Sequence, residues 1–356
     1  MTPTLKYEFE LWINGVMVAD ISRLAQSRKF TIRRNDSEEL EFGLDVTAFE
    51  NHCEQAGRDP EATLVPYVTD VRVKRNGSYL FGVQVVDLNY TFAEDGGNIA
   101  VKCTGFLDLF RDRYITKSYD EAEATEIARD MLDDTQVVFG DFGVENGAEQ
   151  YNTGVLRDRN YIDQNIKDAL VNLTDLIDGN FDFAFSYDRK FSTYAMQGSY
   201  RPNLKFTYPY NIKSISTPKT GLNTYNYLIG LGSGFGEETV RSEGGAAQDA
   251  VSRANYGTRM KIVSFNSVSD QTTLDQNTAA ELQKSKDLLI LPRITVSGEF
   301  CDLNTVWVGD RIPIEVQGHP SLPLNDVYRI EQIECTLDEN DAEDIDLTVD
   351  NYGFVI

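Results

Sequence analysis

The sequence is poor in the residues that most enzymes use for neutral-pH chemistry. It has two histidines, His52 and His319, and four cysteines, Cys53, Cys103, Cys301 and Cys335, in 356 residues. No two cysteines are close in the chain and there is no CxxC, so neither a disulfide framework nor a Cys/His zinc site is expected. A Ser-His-Asp or Cys-His site would need one of the two histidines. His52 has only Cys53 beside it, and His319 sits in the turn-like Gly318-His319-Pro320. Cations are scarce too: 33 Lys and Arg stand against 57 Asp and Glu, a net charge of −24. A chain of that sign is unsuited to gripping nucleic acid by its phosphates or adsorbing to an anionic membrane. No apolar run approaches the roughly 18 residues of a membrane-crossing helix, and the start, MTPTLKYEFELWI, lacks the pattern of a secretory signal. Synthesis in a cytoplasm and no membrane anchor are therefore the expectation.

What is present is enough to fold. Apolar residues make up 41% and aromatic residues 11%, sufficient for buried cores despite the charge. The length suggests about two or three domains. Residues 1–115, 116–210 and 211–356 carry net charges of −5, −8 and −11, so acidity is general and not confined to a tail.

Residues 1–115 read as β. Tyr7, Phe9, Leu11 and Ile13 alternate with Glu8, Glu10, Trp12 and Asn14, and Leu40, Phe42 and Leu44 alternate with acidic or small residues. Val71 and Val73 lead into Asn76-Gly77, a strong hairpin signal because both positions tolerate positive φ. A second hairpin turns at Glu94-Asp95-Gly96-Gly97, and a short helix is expected over 46–57. In residues 116–210, Ser118 to Glu121 has the spacing of a capping box, and Ile162, Ile166, Leu170, Leu173 and Ile177 form a helical stripe ended by Asp178-Gly179-Asn180. Short aromatic strands should follow over 181–207, making a small α+β domain. Residues 211–356 return to β, with Gly-rich loops at 230–236 and 242–248, one helix between Thr273 and Leu289, and strands about Ile294, Ile312, Val327 and Ile345.

The chemical motifs are weak. With Gly230 and Gly232 in place, a dinucleotide loop needs Gly at 235, where Phe235 stands, so 230–236 reads as a loop or hairpin connection. The acidic run 338–344 has Glu343 where a calcium loop wants Gly and Val349 where it wants a liganding Glu, so it reads as a solvated hairpin turn. Phe181, Phe183, Phe185 and Tyr187 suit one face of a core strand better than a stacking platform. No catalytic, cofactor-binding or metal-binding residue is nominated, and no enzyme activity is expected.

Fragments in a fixed order carry a resemblance. Arg33-Arg34-Asn35-Asp36 precedes Leu40-Glu41-Phe42-Gly43-Leu44, then Leu80-Phe81-Gly82-Val83, Val101-Lys102-Cys103-Thr104-Gly105 and Leu107-Asp108-Leu109-Phe110-Arg111. Later come Ala254-Asn255-Tyr256-Gly257, Val308-Gly309-Asp310-Arg311-Ile312 and Tyr328-Arg329-Ile330. By this layout the chain resembles the baseplate hub proteins of long-tailed bacteriophages, the family that includes the N-terminal part of tail-associated lysins and relatives in contractile injection machines. The resemblance implies two tube-like antiparallel β-barrel domains, 1–115 and 211–356, flanking a peripheral α+β domain at 116–210. It implies a homotrimer whose six barrels match a sixfold tail tube, with the distal tail protein, tube and tape measure proteins as partners, at the tail tip of the virion. DNA would pass through the lumen without specific binding, and an acidic lining would repel its phosphates. Larger relatives carry a C-terminal peptidase, lysozyme or fibre; none is expected here. Two other readings compete. One is a receptor- or carbohydrate-binding tail component using Tyr194, Tyr200 and Tyr208. The other is a polysaccharide hydrolase with a carboxylate pair.

Overall fold

The computed structural model describes residues 7–350, apart from 95, 175–178, 234–239, 243–246, 266–267, 269, 291 and 320–323. Strands dominate the first region: β1 (Tyr7–Ile13), β2 (Val16–Asp20), β3 (Gln26–Arg33), β4 (Glu39–Asp45), β5 (Asp70–Arg75), β6 (Ser78–Ala93) and β7 (Gly96–Gly105). Helices α1 (Val46–Gln55) and α2 (Pro60–Thr63) interrupt them. Alternation decides which side each strand buries: Phe9 and Leu11 are fully enclosed, as are Leu40 and Leu44. Asn76 and Gly77 take φ of 51° and 80°, which joins β5 to β6 in a two-residue turn. The helix expected over 46–57 is α1, capped by Asp45, whose carboxylate accepts from the Ala48 amide.

The middle region contains β8 (Tyr114–Glu123), α3 (Ala124–Phe139), β9 (Glu145–Gln150), β10 (Leu156–Asn165), α4 (Ile166–Thr174), β11 (Asp182–Phe185) and β12 (Lys190–Tyr194). Two expectations need correcting. Ser118 to Glu121 lies inside β8, held by pairing with β10, and caps nothing. The cap is Glu123, whose carboxylate accepts from the amides of Thr125 (2.9 Å), Glu126 (3.1 Å) and Thr153 (2.7 Å). Ile162 is on β10 and 69% exposed, so the helical stripe begins at Ile166; Ile177 and Asp178 lie outside the described residues. Ile127 and Met131 of α3 pack with Leu170 and Leu173 of α4 over Phe181, Phe183 and Phe191 in one apolar cluster.

The chain then runs through β13 (Phe206–Tyr208), which falls in the stretch expected for the middle domain but pairs into the main sheet, and on through β14 (Ser214–Ser216), β15 (Lys219–Thr220), β16 (Tyr227–Leu231), α5 (Ala250–Tyr256), β17 (Met260–Ser264), α6 (Gln271–Ser285) and β18 (Leu289–Ile290). It closes with β19 (Arg293–Ser297), β20 (Arg311–Val316), β21 (Asn325–Leu337) and β22 (Glu343–Asp350). Between β14 and β19 the chain leaves the main sheet. There β16 and β17 pair in parallel against α6, and this small unit has its own apolar centre of Leu228, Ala247 and Leu282. Gly230 belongs to β16 and not to a loop. A Cβ there would stand 2.0 Å from Thr278 Oγ1, so glycine lets strand and helix approach. Residues 234–236 and 243–246 of the two Gly-rich stretches lie outside the described residues.

The outer regions share one sheet. Its path runs β14-β19-β22-β21-β3-β4-β7-β6-β5-β1-β2, with β20 also on β21 and β13 on β20. The join is β21 to β3, antiparallel from Gln332↔Arg33 to Thr336↔Lys29. β21 is long enough, at 13 residues, to pair with β20 through its first half and with β3 through its second. Among the described residues no pairing closes either half of this path into a barrel. One apolar core follows the sheet across the join, from Phe9, Phe30 and Phe81 to Ile330, Ile333 and Leu347. Each such side chain contributes roughly 1.5–3 kcal/mol on burial, so the join is held by packing as well as by its ladder.

Candidate functional site

Among the described residues, the groups flagged for chemistry do not converge. His52 lies on α1, and His319 rests against the Tyr208 ring at 5.6 Å. The four cysteines are free and buried, and burial pushes the Cys301 thiol up to about 12. Among the described residues no group of three or more His, Cys, Asp or Glu side chains is arranged to hold a metal ion. Phe181 and Phe183 are buried in the middle core, while Tyr187 stacks on Tyr79 of β6 at 3.9 Å and 9°. That aromatic run therefore binds the middle region to the first and offers no open platform. Tyr194, Tyr200 and Tyr208 belong to separate places: β12, a bridge to Arg311, and β13.

The notable polar structure lies where the three regions meet. Asp182, 4% exposed, opens β11 in the middle region. Its Oδ1 accepts from Arg34 Nη1 (2.6 Å) and Asn35 Nδ2 (2.9 Å), both just beyond the end of β3. Its Oδ2 accepts from the Gln197 amide (2.7 Å) and from Arg329 of β21. Arg34 also binds Glu331 at 2.8 Å, and Asn35 Oδ1 accepts from the Phe183 amide at 2.9 Å. Burial alone would raise the Asp182 carboxyl; Arg34 and Arg329 outweigh it and hold the group below the usual carboxylate range.

A second clasp ties the acidic turn to the first region. Arg75, 2% exposed, gives Nε to Glu343 Oε1 at 2.6 Å and Nη2 to Oε2 at 3.0 Å, and also pairs with Asp302. The Tyr7 hydroxyl donates to the same Glu343 carboxylate, and burial with that neighbour raises the phenol well above its ordinary value. Arg28 reaches Asp341 and the Asp338 carbonyl, and the Tyr7 amide donates to Asp341 at 3.0 Å. The run 338–344 is thus a hairpin turn, as expected, but it is an anchored one: two of its carboxylates are tied to the first region.

Smaller ties repeat the theme. Arg189 forms a two-pronged pair with Asp70, at 2.6 and 2.9 Å. Lys167 of α4 meets Asp108 at 2.6 Å, and Ser37 and Thr104 donate to the same carboxylate, each at 2.7 Å. Asp310 accepts from the Ser199 amide (2.6 Å) and pairs with Arg201 (3.1 Å). Gly198 and Gly309, at φ of 83° and 86°, lie backbone to backbone beside it. Close by, Glu38, the residue before β4, is buried against Gly105; burial, reinforced by Asp36 and Asp108, pushes its carboxyl up to about 8. A small pocket of about 30 Å³, room for one water, lies among Glu38, Phe81, Phe183, Gln197 and Trp307. A polar cleft of about 630 Å³ opens beside Arg34, Asp36 and Lys167, whose charges are already matched.

Charges so paired cannot act as free acids or bases; what they do is lock three regions into one body. Their partners lie up to about three hundred residues apart in the chain, so no local spacing announces them. Yet Arg34, Asn35, Asp108, Asp310 and Arg329 all fall in the fragments that carried the family resemblance.

No family model matches the chain and no curated protein matches it. Solved structures do. A 43 kDa tail protein of prophage MuSo2 from Shewanella oneidensis superposes with a TM-score of 0.66 at 14% identity, over 96% of this chain and 98% of that one. A tail protein from Neisseria meningitidis gives 0.65 at 13% identity, over 98% and 97%. An Escherichia coli component of the type VI secretion system, described as similar to phage tail proteins, gives 0.50 at 11% identity, over 97% and 77%.

Proposed function

We propose, from the premise that this chain has the fold of phage tail proteins along its whole length, that it is a structural tail component: a hub at the tail tip. The observation that carries the proposal is the coverage, 96% of this chain against 98% of the Shewanella tail protein, so the likeness of fold runs through all three regions. The charged clasps fit a rigid structural part, because a junction of buried, mutually satisfied ion pairs resists sliding between regions. In this reading three copies form a ring that closes or extends the tail tube, the two halves of the sheet in each copy serve as the two tube-like β domains with the middle region peripheral, and the distal tail, tube and tape measure proteins flank it in the virion. The net charge of −24 gives the ring a lumen from which DNA phosphates are repelled, so the genome slides without specific binding. No catalysis, cofactor or metal is assigned to it, and assembly takes place in the host cytoplasm.

The test is mass by light scattering, followed by negative-stain imaging. A mass of three chains and a threefold ring with a central hole are expected. A monomer at every concentration, or a compact particle without a hole, would overturn the hub.

A further inference from the structure

The charge of the chain is unevenly placed. Residues 189–269 hold ten Lys and Arg and only four Asp and Glu, a net of +6, so the remainder carries −30. Most cations in that stretch are matched: Arg189 by Asp70, Lys190 by Asp188, Arg201 by Asp310, Lys205 by Glu315 and Lys213 by Asp344. Arg253 and Arg259 are not. Among the described residues Arg253 donates only to Gln248 and Thr258, and Arg259 only to the Thr224 carbonyl. Both stand on the small unit built from β16, β17, α5 and α6.

Among the described residues that unit also has a partly exposed apolar face. Parallel β-structure is normally covered on both sides. Here Leu228 and Gly230 of β16 face α6, while the alternate positions Tyr227, Ile229 and Leu231 line up with Met260 and Ile262 of β17 on the other side. Met260 is 59% and Ile262 58% exposed. Arg253 lies over the Tyr227 ring at 5.7 Å, at the edge of this face, and Arg259 immediately precedes Met260; Met and Tyr beside Arg is the composition of an interface core.

The complementary surface is on the same molecule. Past Val85, β6 has β7 on one side only, and there Tyr90 is 49% and Phe92 71% exposed. Glu50 and Glu61 lie close enough to act on the Tyr90 hydroxyl, and neither forms an ion pair among the described residues. One face is apolar with a cationic rim, the other aromatic with an anionic rim.

We propose that the outer face of β16–β17 receives the β6–β7 hairpin of a second copy of this chain, Met260 and Ile262 against Tyr90 and Phe92, with Arg253 and Arg259 toward Glu50 and Glu61. The contact is heterologous, head to tail, and so can close a ring; it rests on the homo-oligomer reading above and names the surfaces that make it.

Disulfide trapping tests it on the full chain. The variant carrying F92C and I262C together, oxidised at low concentration, should give a covalent ladder that ends at three chains; F92C or I262C alone should not. The four native thiols are buried and stay silent. In light scattering, R253E/R259E should raise the concentration for half-assembly by at least about tenfold, and adding E50R/E61R should restore it. If the wild type assembles but no ladder forms and the charge reversals change nothing, this contact is wrong and the hub reading stands. If the wild type is a monomer throughout, both fall. Should R253E/R259E fail to fold, the cysteine pair decides alone.

Discussion

Asp182 is the point at which the rigidity of the molecule can be measured. Asp182→Asn keeps the shape of the side chain and removes its charge. Arg34 retains Glu331 at 2.8 Å, so its loss is partial; Arg329 loses its carboxylate partner and keeps only carbonyl oxygens, those of Gln197 at 3.1 Å and Gly309 at 3.3 Å. Hydrogen bonds to charged groups contribute about 1.5–3 kcal/mol each. The amide has one acceptor oxygen where the carboxylate had two, so two of its four bonds are lost, one of them to an arginine, and the other two are weakened; the variant should be destabilised by about 3 kcal/mol or more at pH 7. For a chain of this size that is a fall in Tm of about 6 °C, at about 2 °C per kcal/mol. The pH dependence supplies an independent check. A carboxyl whose folded pKa lies below its unfolded value of about 3.9 stabilises the fold fully above that value and loses the contribution as pH falls through the folded pKa. The gap between wild type and variant should therefore be flat from pH 5 to pH 8 and shrink below pH 4. Thermal and urea unfolding followed by circular dichroism across that range would read it. A gap under about 1 kcal/mol at pH 7, or one that stays constant into strong acid, would refute the claim that this carboxylate holds the three regions together.

Two further outcomes follow from the same junction. Glu38 has the opposite sign: with a folded pKa of about 8, its contribution is complete below the unfolded carboxylate value and is lost as pH rises toward 8. Glu38→Gln should be relatively more stable at pH 8 than at pH 5, by more than about 2 kcal/mol; equal pH profiles for variant and wild type would show that Glu38 is ionised in the fold. Gly198→Ala would place a Cβ 2.2 Å from the carbonyl carbon of Gly309 at a φ of 83°, so it should cost about 3 kcal/mol or more. A melting temperature within a degree of wild type would mean that the two backbones are not apposed.

The legible part of this protein was the part written in short-range pattern. Strict alternation at Tyr7, Phe9 and Leu11 has one low-energy reading, a half-buried strand, and β1 is that strand. Asn76-Gly77 likewise has one favourable backbone use. Failures came where a local signal competed with a distant partner. Ser118 to Glu121 could cap a helix, but pairing of β8 with β10 draws those residues into a ladder, and Glu123 caps instead. Gly230 looked like loop punctuation because the sequence does not reveal that α6 lies against its Cα.

Composition and alternation alone were enough to set a mainly β, strongly acidic molecule. They could not decide that the first and last regions would join through β21 and β3, or that Asp182 would gather Arg34 and Arg329 from opposite ends of the chain. The reason is range: a strand or turn depends on neighbours within a few residues, whereas a buried charge is tolerable only once the whole fold has brought its counter-charges to it.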